Sequence, residues 1–238
     1  MHLKTLATLC LLLRCALPAA AQHPVYALPG QGADARSFQR LVLPPGYELR
    51  PIELSVPGRK ESMASYARRL AAEIDTTRPF SLLGVSMGGM AAVEMSRFLH
   101  PEHLILIASI KHRDEMPPRY RFLRAVPLHR IFSGRALGFL GNRVRNLYEP
   151  EGRPYDSLYT AMLRDKPRKF LPRAIGCIAR WESDSYPPGL IHIHGTRDHT
   201  LPYRHVRGAI PIERGSHLLI MTRAEEISAI LAERLPPR

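Results

Sequence analysis

Residues 79–93 read PFSLLGVSMGGMAAV. The run from Pro79 to Val85 is continuously apolar, as a central strand covered on both faces of a parallel sheet must be. Directly after it stands Gly84-Val85-Ser86-Met87-Gly88-Gly89, and then an Ala/Met-rich stretch that predicts a helix over Gly88–Leu99. A G-x-S-x-G sequence placed between a strand and a helix predicts a sharp turn that projects the serine hydroxyl at the carboxyl end of the sheet. Small residues on both sides allow the turn, and the helix start supplies free N–H groups and a positive dipole end. Ser86 is therefore the candidate nucleophile.

Working outward, the chain alternates strands and helices. Pro24–Leu28 predicts a buried strand stopped by Pro29-Gly30-Gln31-Gly32, and Asp34–Leu43 a short helix. Tyr47–Val56 predicts a strand in which Pro51 favours an edge or a bulge. Ser62–Ile74 carries Met63, Tyr66, Ala67, Leu70 and Ile74 at helical spacing. His103–Ser109 predicts a further strand, and Leu190–His194 and Ala209–Ile212 two more, before an amphipathic helix over Ala224–Leu235. This alternation argues for a parallel sheet with right-handed crossovers. Residues from about 111 to 180 break the pattern, being rich in Arg, Pro and aromatics, and predict a helical cap inserted over one edge of the sheet.

A serine hydroxyl needs a base to take its proton, and the base needs an orienting acid. His217, in Arg214-Gly215-Ser216-His217, follows the last predicted strand and so opens at the same sheet edge as Ser86. Asp198, in His194-Gly195-Thr196-Arg197-Asp198, follows the strand before it, and Asp184 is a weaker competitor. The chain order Ser86, Asp198, His217 is nucleophile, acid, base.

Taken together, LPGQGAD, GVSMGG, HGTRDHTLP and GSHLLI resemble the alpha/beta-hydrolase fold superfamily, over about 25–110 and 190–235. The resemblance implies a minimal fold: a mostly parallel six-stranded sheet flanked by helices, occupying 22–238 with the cap inside it and without two additional N-terminal antiparallel strands. It implies an oxyanion hole formed by the backbone N–H groups of Met87 and Gln31, with Gly30 and Gly32 letting the backbone approach a substrate closely. Pro29 stands where many members have His. The activity implied is that of a serine hydrolase of the esterase type, with acyl transfer or thioester cleavage as alternatives on the same scaffold. A non-catalytic binding scaffold is the alternative from another class. No cofactor is implied, and the partner expected is a small acyl substrate.

Composition sets the remaining bounds. At 238 residues, 45% hydrophobic and 23% charged, the chain can bury a full core, which excludes disorder for its bulk. Its net charge of +13 attracts anionic surfaces or substrates. No nucleic-acid-binding motif accompanies that charge, so no nucleic-acid partner is expected. The cap arginines, among them Arg113, Arg119, Arg121, Arg124, Arg130, Arg143 and Arg145, form a solvated surface or draw anionic substrates or lipid headgroups. The interleaved Phe122, Leu123, Ile131, Phe132 and Phe139 either pack the cap or floor an acyl pocket. Residues 1–21, with Lys4, an apolar run and Ala19-Ala20-Ala21, have the layout of a secretory signal peptide, although Arg14 departs from it. Export is the expectation; a start near His23 would instead leave the protein in the cytoplasm. His192, His194, Asp198 and His199 nearly spell a metal box, but their spacing is wrong and no further ligands are apparent, so no metal is expected. Cys177, in an apolar stretch, reads as a core thiol.

Overall fold

The computed structural model describes residues 22–120 and 149–238. The expected signal peptide, and the cap residues Arg121, Phe122, Leu123, Arg124, Arg130, Ile131, Phe132, Phe139, Arg143 and Arg145, lie outside the described residues.

Six strands form one sheet: β1 (His23–Leu28), β2 (Tyr47–Pro51), β3 (Ser81–Val85), β4 (His103–Ile107), β5 (Ile191–Gly195) and β6 (Ile210–Ile212). Their order is β2-β1-β3-β4-β5-β6, and every pairing is parallel. The register sets Leu83 opposite Ile105, and Ile107 opposite Ile193. Parallel strands need crossovers: α1 (Met63–Leu70) lies between β2 and β3, α2 (Met87–Leu99) between β3 and β4, and α3 (Asp156–Asp165) and α4 (Phe170–Ala179) between β4 and β5, while the short α5 (Leu219–Thr222) and α6 (Ala224–Arg234) follow β6.

Period-two alternation divides the core into two layers. Tyr26, Leu28, Leu82, Leu104 and Leu106 face α1, α2 and α4. Val25, Ala27, Leu83, Val85, Ile105, Ile107 and Ile193 face Phe38, Leu219, Ile227 and Leu231. Each fully buried aliphatic side chain is worth roughly 1.5–3 kcal/mol over exposure, so these two layers hold the sheet. Helix α2 is buried throughout Met87–Ser96, which is why its sequence lacks a polar stripe; its one acidic residue there, Glu94, accepts the Trp181 indole N–H at 2.8 Å.

Local chemistry explains where elements stop. β2 lies at the sheet edge and ends at Pro51, short of the expected Val56, although Ile52 still donates to Ala27 at 2.9 Å. The helix expected over Asp34–Leu43 is a single 3-10 turn, Ala35–Phe38, capped by Asp34 accepting the Arg36 N–H. α1 passes into a 3-10 turn at Ala71–Glu73 before reaching Ile74. Strand order reverses between β1 and β3, whose neighbours lie on opposite sides, and the loops at their carboxyl ends bound the crevice where open α/β sheets bind ligands. Among the described residues no helix is long and apolar enough to cross a membrane.

Candidate active site

Ser86 sits between β3 and α2 with φ 51° and ψ −117°, a left-handed backbone that a residue with a side chain rarely adopts. Such strain costs about 1–3 kcal/mol and persists only where the surroundings enforce it. Here they do. The Ser86 N–H donates to Ile107 at 3.1 Å, and its carbonyl accepts the Ser109 hydroxyl at 2.7 Å and the Gly89 N–H at 3.0 Å. The glycines around it are steric necessities. A Cβ on Gly84 would lie 2.4 Å from the Gly89 Cα, and one on Gly88 would lie 2.2 Å from the Leu28 carbonyl oxygen.

His217 and Asp198 come from the loops after β6 and β5. The His217 Nε2 lies 2.9 Å from the Ser86 Oγ, and its Nδ1 lies 2.7 Å from the Asp198 Oδ2. The three side chains singled out in the sequence thus form one continuous hydrogen-bonded array. With the Nδ1 proton directed at the carboxylate, Nε2 is left to accept from the hydroxyl. Gly195 and Gly215 let the two loops touch: a Cβ on Gly195 would lie 2.2 Å from the Gly215 carbonyl oxygen.

Asp198 is fully enclosed yet saturated with donors. Oδ1 accepts the N–H groups of Thr200 at 2.8 Å and Leu201 at 2.7 Å. Oδ2 accepts from His217 and, at 3.1 Å, from the buried His194 Nε2. Burial works against its charge, but attraction to His217 and the bonds from both imidazoles prevail, and the carboxyl is held well below the usual carboxylate range. Burial likewise opposes a charged His217, and the adjacent Asp198 outweighs it, so the imidazole sits above its ordinary value.

Gly30 runs against the nucleophile, since a Cβ there would lie 3.4 Å from the Ser86 Cβ. Gln31 follows Gly30 in the chain, with its side-chain Oε1 buried and unpartnered among the described residues. Gly32 has φ 78° and packs beneath α3, where a Cβ would meet Leu163 at 2.9 Å and the Tyr159 hydroxyl at 3.3 Å. Met87 opens α2, where the first N–H groups have no partner within the helix. The Asp184 carboxylate is exposed and lies 3.9 Å from Arg97.

His194 entered the sequence reading only as a metal ligand. Its Nε2 serves both the Leu201 carbonyl, at 2.8 Å, and Asp198, which leaves Nδ1 unpartnered among the described residues. The signal was present: alternation along LIHIH puts residues 192 and 194 on one buried face, and a buried imidazole needs a polar partner. His192 bonds the Ser109 carbonyl at 3.0 Å, and burial holds it down at about 3. Among the described residues no group of three or more His, Cys, Asp or Glu could hold a metal ion. Cys177 is buried in α4, and burial pushes its thiol up to about 12. A recess of about 990 Å³ lies outside the Asp198 loop, lined by Glu149, Glu151, Arg197, Arg204 and Arg214 among others.

Comparison with known proteins agrees with this fold. The family profile described as "Alpha/beta hydrolase family" matches residues 8–230. The chain belongs to the alpha/beta hydrolase family. It is 31% identical to part of the AMB antimetabolite synthetase AmbE of Pseudomonas aeruginosa, a match covering 89% of this chain and 10% of that protein. The chain therefore spans about a tenth of that relative's length. Among solved structures, the enol-lactonase from Burkholderia xenovorans LB400 has a TM-score of 0.71 at 15% identity, covering 90% of this chain and 91% of that one. RedJ, a thioesterase from the prodiginine pathway of Streptomyces coelicolor, has 0.60 at 19%, covering 92% of each. An esterase from Thermogutta terrifontis has 0.58 at 18%, covering 90% and 89%. At such identities the likeness is one of fold.

Proposed function

We propose that the protein is a serine hydrolase that cleaves a carboxylic ester or related acyl bond through an acyl-enzyme. The observation that carries this is the unbroken relay from Ser86 through His217 to Asp198, at 2.9 and 2.7 Å. Ser86 Oγ attacks the acyl carbon while His217 Nε2 takes its proton. The oxyanion rests on the N–H groups of Met87 and Gln31, each donor worth about 3 kcal/mol of barrier. Collapse breaks the bond to the leaving oxygen, which His217 protonates. His217 then takes a proton from water, the resulting hydroxide attacks the acyl-enzyme, and collapse releases the acid as the proton returns to Ser86. No cofactor enters these steps.

Thioester cleavage or acyl transfer is the second reading, favoured by the 31% identity to a segment of a synthetase. A fluorophosphonate probe tests the nucleophile: the protein is labelled, and Ser86→Ala is not. An unlabelled wild type would return the scaffold to a binding role. A panel of p-nitrophenyl esters of rising chain length, set beside the matching N-acetylcysteamine thioesters, then decides the acyl group and the leaving atom. Activity confined to short chains would remove the link to lipids suggested by the basic surface. Export is part of the same proposal, on the signal-peptide layout of residues 1–21; fractionation of cells expressing the chain with and without them tests it, and equal retention in the cytoplasm refutes it.

A further inference from the structure

Arg119 and Glu149 lie on either side of residues 120–148 in the chain, and both grip the loop that carries Asp198. The Glu149 Oε1 accepts the His199 N–H at 3.0 Å. The Arg119 guanidinium donates to the His199 carbonyl at 2.8 Å and to the Thr200 carbonyl. One peptide segment, directly after the acid, is thus held through its N–H by an anion and through its C=O by a cation. Two residues beyond Glu149, the Glu151 Oε2 accepts the Ser216 N–H at 3.1 Å, so the same segment also holds the loop of His217. Glu151 is pinned in turn by Arg223.

Glu149 is the unusual member. It is 2% exposed, and its Oε2 has no hydrogen-bond partner among the described residues. A buried carboxylate left half-satisfied lowers stability, and fastening one loop N–H does not require a charge. The charge has a use in the field it makes at His217, the group that becomes a cation when it takes the Ser86 proton. Among the described residues, the charged or titratable groups around that imidazole and its two loops include Asp198 from the loop after β5, His194 at the end of β5, Glu149 and Glu151 from the segment before α3, Arg119 from the segment after β4, Arg223 behind Glu151, and Arg197, His199, Glu213 and Arg214 on the loops themselves.

We propose that Glu149 and Arg119 are positioning residues for His217 and Asp198, holding the acid's loop from both sides and biasing the charge of the base in opposite directions. The proposal rests on Ser86 and His217 acting as read above. Burial raises the Glu149 carboxyl, with Asp198 adding to it and His217 opposing. At His217, Glu149 favours the cation and Arg119 disfavours it.

The test is the pH dependence of fluorophosphonate labelling of Ser86, measured on the full chain, Glu149→Gln and Arg119→Gln. Labelling of the wild type rises with pH as His217 loses its proton. Glu149→Gln keeps an acceptor for the His199 N–H but removes the charge, so the rise moves to lower pH and the plateau rate falls about ten-fold, or ~1.4 kcal/mol. Arg119→Gln moves the rise to higher pH. Shifts in the same direction, or none, overturn the proposal while leaving the nucleophile standing. A wild type that is never labelled overturns the serine reading itself. Thermal melting at pH 8 supplies the control: Glu149→Gln melts no lower than wild type, because it relieves a buried charge, and a lower melting temperature would make the carboxylate merely structural.

Discussion

Replacing Gly195 with Ala tests whether contact between two loops sets the array. Gly195 closes β5 with negative φ, so alanine meets no backbone strain there, and the whole effect is one of contact. The added Cβ would lie 2.2 Å from the Gly215 carbonyl oxygen and 2.5 Å from its carbon, both backbone atoms that cannot swing aside. Ordinary contact begins at 3.4 Å, so the loops must part by about 1.2 Å (3.4 − 2.2). That carbonyl also accepts the Arg197 N–H at 2.9 Å, one residue before Asp198. Parting the loops therefore draws His217 from a carboxylate now 2.7 Å away. A misplacement of about 1 Å costs on the order of 100-fold in rate. Overpacking of this kind costs about 1–3 kcal/mol, less than the roughly 5–15 kcal/mol that keeps a domain folded. The expected result is a kcat/KM for p-nitrophenyl acetate down about 100-fold, with a melting temperature lowered by about 2–12 °C. A variant within about three-fold of wild type and melting at the same temperature would refute the claim that loop contact aligns the acid with the base.

Asp198→Asn puts an amide where four donors converge, so kcat falls by about 10⁴ with little unfolding; steady-state kinetics checks this, and a loss under ten-fold contradicts it. The proposed hydrolysis requires a neutral His217, and Asp198 raises that group above its ordinary 6.5, so kcat/KM is expected to rise with pH through a midpoint above 6.5, and a lower midpoint rejects the coupling. That raised value also contributes stability present below pH 6.5 and lost as pH climbs through the folded value; urea unfolding from pH 5 to 9 shows the decline, and His217→Gln flattens it. The depressed Asp198 works the other way, its stability being in place above its ordinary 3.8 and lost as pH falls, so Asp198→Asn loses less stability than wild type between pH 5 and 3. Cys177, pushed up to about 12 and buried, stays unmodified by iodoacetamide in the native protein and reacts after unfolding, as peptide mapping by mass spectrometry reports; native modification would place it outside the core.

Most of the fold was legible because its signals are local. The run PFSLLGV is apolar on both faces only because β3 has neighbours and helices on every side, and the other strands follow by the same pattern. One misplaced boundary is where chain chemistry overrides periodicity, Pro51 cutting β2 short; the single turn after Asp34 ends at Phe38, well before Pro44-Pro45, and periodicity gave no sign of that stop. That Ser86, Asp198 and His217 come together was legible for a related reason. Each lies one to five residues beyond a strand, and parallel strands deliver all their following loops to one edge. The glycines beside them carry the same information, since Gly84, Gly88, Gly195 and Gly215 stand where backbone meets backbone.

His194 and Glu149 mark the boundary of what local pattern can reveal. His194 was visible as a buried strand histidine, but its bond to Asp198 depends on how the chain folds back after β5. Pro150 after Glu149 marks the start of the 3-10 turn Pro150–Tyr155, but nothing local marks the reach of the Glu149 side chain, because its partner N–H lies 50 residues away. A side chain that reaches the site from a segment between strands is invisible to periodicity, which reports only what a residue does within its own element. The same fact explains what such a residue can do. Strand-end residues are fixed by the sheet, and shifting them breaks the array. A charge carried in from an intervening segment can change without moving Ser86, His217 or Asp198, and so can adjust the base while the geometry stays put. On that division of labour, Glu149→Gln moves the pH at which labelling begins as well as lowering the plateau, whereas Gly195→Ala lowers the rate at every pH by moving the array itself.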